Sequence, residues 1–124
     1  MSIQVKRAYD PPSSGDGARY LVDRLWPRGI KKEALEIEAW VKDIAPSDAL
    51  RKWFGHDPAK WDEFRKRYFE ELRGNEQAWR PLAEAARRGR ITLVFGAKDA
   101  AHNQAVALKE FLEQQLRRKQ AGGH

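Results

Sequence analysis

Residues 21–30 read LVDRLWPRGI. Leu21, Val22 and Leu25 suit the interior of a sheet, yet Asp23, Arg24, Trp26 and Arg28 crowd the same stretch. A guanidinium is a planar fork that matches a phosphate or carboxylate through two parallel hydrogen bonds. Arg24 and Arg28 therefore suit an anionic guest, and Trp26 offers a flat face beside them. Asp23 is of a type that orients such cations or exchanges a proton.

Other segments carry compatible chemistry. Tyr9 and Asp10 precede a double proline, Lys42 and Asp43 follow an apolar alternation, and "GAKDAAHNQA" follows the apolar run ITLVF. In an open parallel α/β sheet, ligands sit in the crevice beyond the carboxyl ends of the strands. If strands end just before each of these segments, their side chains collect at one sheet edge. The expected ligand contacts are then Tyr9, Arg24, Trp26, Arg28, His56, Lys98 and Asn103. The candidate acid/base groups are Asp23, Asp99 and His102. Amides at the start of a helix carry partial positive charge, which adds a second reason to expect an anion there. Each residue also has a plainer reading. Asp99 can simply cap a helix, Asp23 can pair with a neighbouring arginine, and "GHDP" (residues 55–58) is a helix stop followed by a helix start.

Several chemistries lack their residues. There is no cysteine, so no thiol nucleophile, disulfide or Cys-ligated metal. His102 and Asp99 have helical spacing, but a zinc site needs further ligands that no motif supplies. No GxGxxG or Walker pattern occurs, and neither Ser13 nor Ser14 has a histidine base in sequence range. No metal and no cofactor are expected.

The elements that must position these groups are punctuated along the chain. Ile3, Val5 and Ala8 predict a first strand that ends at Asp10-Pro11-Pro12, because proline cannot continue a ladder. Ser13 to Gly17 reads as a polar loop tip. Tyr20 to Leu25 predicts a second strand, and Lys31 to Leu35 one helical turn. Residues 36–42 alternate as a third strand would, though an amphipathic helix through Ile37, Trp40, Val41 and Ile44 fits them too. Ser47 caps a short helix that Gly55 ends, and Asp57-Pro58 opens the next. Trp61, Phe64, Tyr68 and Leu72 form one helical stripe up to Gly74. Asn75 restarts a helix, with Pro81 either kinking it or opening a new first turn. Ile91 to Phe95 is the strongest strand. Asp99 is expected to cap a last helix carrying Ala105, Leu108, Leu112 and Leu116. The resulting fold class is α/β: a small, mostly parallel sheet of about four strands with helices packed on both faces.

A chain of 124 residues, 41% apolar and with five Trp, suits one packed domain over residues 1–118. A disordered tail is expected over 119–124. No apolar run reaches the ~20 residues that span a bilayer, so a cytoplasmic protein without a membrane partner is expected. The net charge of +6 favours anionic partners in general. Part of the excess lies in Arg87, Arg88 and Arg90 and in Arg117, Arg118 and Lys119. Helix C-termini favour such cations through the helix dipole alone.

The ordered motifs YDPP, VDRLWPRG, KDIAPSDALRKWFGHDPAKWDEFRKRY and TLVFGAKDAAHNQAVAL, from about Val5 to Leu116, resemble the YeaO-like branch of domain-of-unknown-function family 488. The resemblance implies a small bacterial α/β protein of no assigned activity. It places Tyr9, Asp10, Asp23, Arg24, Trp26, Pro27, Arg28, Trp53, Phe54, His56, Asp57, Tyr68, Asp99, His102 and Asn103 among the family's motif positions. Longer relatives carry a cysteine-containing motif after the last strand. Here that segment holds none, so a thiol mechanism does not transfer.

Three functions fit these observations. The first is a pocket for a phosphate, carboxylate or nucleotide, with or without turnover. The second is a basic nucleic-acid-binding accessory protein, although acids interleave its basic residues, as in KWDEFRKRYFEEL. The third is a non-catalytic interaction module. No oligomeric state follows from the sequence.

Overall fold

The apolar run ITLVF forms the centre of the sheet, as its burial demands. In the computed structural model, which describes residues 2–122, the strands are β1 (Ser2–Arg7), β2 (Ala18–Leu21), β3 (Ala39–Trp40) and β4 (Arg90–Phe95). They lie in the order β1-β4-β2-β3 and every pairing is parallel. The register sets Ile3 beside Ile91 and Val5 beside Leu93, with Tyr20 beside Leu93 on the other flank. Ile91 to Phe95 are all buried, which is the condition that lets a strand be apolar at every position.

The helices are α1 (Lys32–Leu35), α2 (Asp48–Phe54), α3 (Trp61–Arg73), α4 (Glu76–Arg88) and α5 (Gln104–Gly122). Alternation sends Ile3, Ile91, Leu93 and Phe95 to one face, where they meet Leu50 and Phe54 of α2, Phe64 and Tyr68 of α3, Leu82 of α4 and Leu108 of α5. Leu21 and Val94 point to the opposite face and pack with Leu35 of α1, Trp26 and Trp40. The α/β sheet with helices on its two faces is thus borne out, with most of the helical mass on one face. The stripe of α5 is buried at Ala105, Leu108, Leu112 and Leu116, and that of α3 at Phe64, Tyr68 and Leu72.

Two strand boundaries differ from expectation, and of the two placements left open for Pro81 the structure takes one. The second strand stops at Leu21 rather than Leu25, because beyond Val22 a side chain takes over the ladder: the Asp23 carboxylate accepts the Gly96 N–H at 2.8 Å. The third strand is confined to Ala39–Trp40 within the expected 36–42. Pro81 lies inside an unbroken α4 rather than at a new first turn. The expected disordered tail at 119–124 falls partly on residues 123–124, which lie outside the described residues; α5 extends to Gly122.

The polar loop at 13–17 is more than a loop tip. Ser14–Asp16 makes one 3₁₀ turn, and Asp16 is buried. Its carboxylate accepts from Arg19 at 2.7 Å, from Lys6 at 3.1 Å and from Gln4 at 3.0 Å, while its carbonyl accepts from Thr92 at 2.7 Å. This network closes the amino-terminal half of the α1-side face, where the strands carry polar residues.

Candidate functional site

The carboxyl ends of β2 and β4 lie side by side, and the loops that leave them open a cavity of about 400 Å³ against α2, α3 and the start of α5. That volume lies within the range of small-molecule pockets. Asp23 and Arg24 reach it from the loop after β2, and Arg51 and Lys52 from α2. His56 follows α2, and Asn103 and Gln104 begin the last helix. Leu25, Pro46, Phe54 and Phe64 supply apolar wall.

Asp23 is fixed by two donors. The Gly96 N–H meets one carboxylate oxygen at 2.8 Å, and the Gln104 side-chain amide meets the other. Glycine permits this approach: a β-carbon at residue 96 would lie 3.0 Å from Asp23 Oδ2. Burial pushes the Asp23 pKa up, and the opposing Gly96 and Gln104 hydrogen bonds and the Arg51 charge do not cancel it.

The cations are arranged differently. Asp48, the first residue of α2, pairs with Arg51 Nη2 at 2.6 Å and with Arg24 Nε at 3.5 Å through the same oxygen. Two guanidiniums from separate elements thus converge on one negative oxygen. Side-chain exposures of 40% for Arg24 and 41% for Arg51 leave that pairing screened by water and open to exchange. His56 adds a non-glycine residue in the left-handed region, with φ 57°, directly after Gly55 at φ 53°. Its ring lies 6.2 Å from that of Phe54.

Of the ten expected site residues, the cavity unites Asp23, Arg24, His56 and Asn103. The others are elsewhere. The Pro27-Arg28-Gly29 turn carries its neighbours towards α1, where the exposed Tyr9 donates its hydroxyl to the Arg28 carbonyl at 3.0 Å. Trp26 donates to the Ile30 carbonyl at 2.7 Å and packs edge-on against Trp40 at 5.5 Å. Arg28 and Lys98 are exposed and do not line the cavity. Asp99 accepts the N–H of Ala101 at 2.9 Å and of His102 at 3.0 Å, and the His102 ring nitrogen Nδ1 lies 3.0 Å from its other oxygen. The Ala101 N–H and then His102 hold the Asp99 carboxyl below the usual carboxylate range. His102 packs edge-on against Trp61 at 5.4 Å. The pair forms a turn beside the cavity wall.

Asn103, not Asp99, caps α5. Its side-chain oxygen accepts from Ala105 N at 2.9 Å and Val106 N at 3.1 Å, so these helix-start amides are already satisfied. The positive element of the site is therefore its side-chain cations. Arg51, Lys52 and Gln104 were missing from the sequence expectation. The first two sit just ahead of the GHDP turn, and Gln104 follows Asn103 directly. Among the described residues, no group of three or more His, Cys, Asp or Glu could hold a metal ion. No described helix is long and apolar enough to cross a membrane.

The chain belongs to a known lineage. A family model described as "Inactive DUF488-N3 subclade" matches residues 2–124, and the chain belongs to that DUF488 family, as its motifs imply. Among similar proteins, "Uncharacterized protein YeaO" of Escherichia coli (strain K12) is 46% identical over 112 residues, covering 90% of this chain and 97% of that protein. "Uncharacterized protein Rv3073c" of Mycobacterium tuberculosis (strain ATCC 25618 / H37Rv) and "Uncharacterized protein Mb3100c" of Mycobacterium bovis are each 39% identical over 110 residues, 89% of this chain and 92% of theirs. No solved structure matches.

Proposed function

We propose that this protein is a cytoplasmic binding protein for a small anion, a phosphate or carboxylate, held in the cavity beyond β2 and β4. The observation that carries the reading is that Arg24 and Arg51, which line the cavity with Lys52, converge on a single carboxylate oxygen of Asp48 at its exposed rim. An anionic oxygen in the cavity would compete with that carboxylate for the two guanidiniums, each of which can offer a fork of donors. The word "inactive" in the subclade description favours binding over turnover. So does the lack of any cysteine in the chain, together with an Asp99–His102 pair that lies off the cavity wall.

Calorimetric titration with inorganic phosphate tests this. The intact protein should bind saturably, and Arg51→Ala should weaken binding by about 1 kcal/mol, as expected for a charge-assisted contact that water partly screens. Non-saturating heats that are the same in both proteins would count against a specific pocket.

A further inference from the structure

Resting on the anion-binding reading, a second feature of the cavity narrows the ligand class. A bare phosphate would need only the cationic rim, yet the same cavity presents the carboxylate of Asp23, fixed in position by Gly96 and Gln104. Each carboxylate oxygen there receives one donor, and an ionised carboxylate has about four acceptor sites. Acceptor capacity therefore remains for donors that arrive with a ligand. Those donors are best uncharged. An ammonium would be repelled by Arg24, Arg51 and Lys52, which line the same space, whereas hydroxyl groups carry no such penalty. The apolar side chains of Leu25, Phe54 and Phe64 give the C–H faces of a carbon skeleton a surface to rest on, and 400 Å³ accommodates more than an inorganic ion.

We propose that the cavity takes a sugar phosphate, with its phosphate against Arg24, Arg51 and Lys52 and its hydroxyls donating to Asp23. A compound with hydroxyls but no phosphate lacks the rim contacts. An alkyl phosphate lacks the contacts to Asp23.

Titrating the intact chain with ribose 5-phosphate, ethyl phosphate and O-phosphoethanolamine separates these cases. Hydrogen bonds to a charged acceptor translate into about tenfold or more in affinity, so ribose 5-phosphate should bind about tenfold tighter than ethyl phosphate. Asp23→Ala should erase that advantage while leaving ethyl phosphate binding no weaker. Asp23→Asn, which keeps an acceptor for Gly96, should reduce it and serves if the alanine variant does not fold. Equal binding of ribose 5-phosphate and ethyl phosphate would overturn this inference and leave the anion site standing. Tightest binding of O-phosphoethanolamine would also overturn it, in favour of an ammonium partner. If none of the three binds, the anion-binding reading itself fails.

Discussion

Asp23 costs the fold something. Burial raises its pKa above the ordinary aspartate value, against the pull of the Gly96 and Gln104 hydrogen bonds and the Arg51 charge. A carboxyl whose pKa is higher folded than unfolded takes up a proton on folding. Its stabilising contribution is full at and below the unfolded value of about 3.9, and is lost as pH climbs through the folded value. Asp23→Asn removes that penalty and keeps an acceptor for the Gly96 N–H. Urea denaturation should therefore find the variant as stable as the parent, or more stable by up to ~1 kcal/mol, at pH 8, with the difference shrinking towards pH 4. A clear loss of stability at pH 8 would show that Asp23 is there to hold the fold rather than to meet a ligand. Asp23 and Arg24 were legible in the sequence because an acid and a guanidinium interrupting an apolar run stand out. Arg51 and Lys52 were not. A cation on the exposed side of an amphipathic helix has the same pattern whether it faces bulk water or a cavity.

Elements were legible where apolar spacing or a stop signal defined them, as in α2 between Ser47 and Gly55 and in the fully buried β4. The start of α5 was less so, because Asp99 and Asn103 are both good capping types four residues apart. Tertiary structure decides between them. Asn103 is 2% exposed and its oxygen receives two helix amides, whereas Asp99 closes a separate turn at the surface. Thermal or urea unfolding should show Asn103→Ala losing about 1–2 kcal/mol, as loss of a helix cap does, and Asp99→Ala losing less. The reverse order would put the cap back at Asp99. The same cap fixes where Gln104 begins the helix, and hence the amide that steadies Asp23. The short β2 follows from that contact too: its ladder ends because a side chain replaces the backbone acceptor, which no periodicity can reveal.

Seen whole, the molecule separates its polar functions. The Asp16 network lies under the amino-terminal half of the sheet and the candidate pocket beyond its carboxyl ends. Burial would raise the Asp16 carboxyl, but the Ser13 amide and hydroxyl, Lys6 and Arg19 hold it well below the usual carboxylate range. It reads as a structural ion cluster. Its sequence, SSGDG, carries only turn chemistry, so its burial was not legible. The net charge of +6 is also less available than it looks. Arg65 pairs with Glu110, Arg67 with Glu63 and Arg80 with Glu76, so part of the basic charge on α3 and α4 is locally matched. Arg80, Arg87 and Arg118 face a cavity together with Glu76 and Glu84, whereas Arg24, Arg51 and Lys52 share theirs with one acid, Asp23. A crystal structure of the protein grown in inorganic phosphate would examine that grouping most directly. The expected result is a phosphate oxygen about 3 Å from both the Arg24 and the Arg51 guanidinium, with Asp48 displaced from one of them. Phosphate ordered only at the arginines ending α4 and α5, with Asp48 still bridging Arg24 and Arg51, would contradict it.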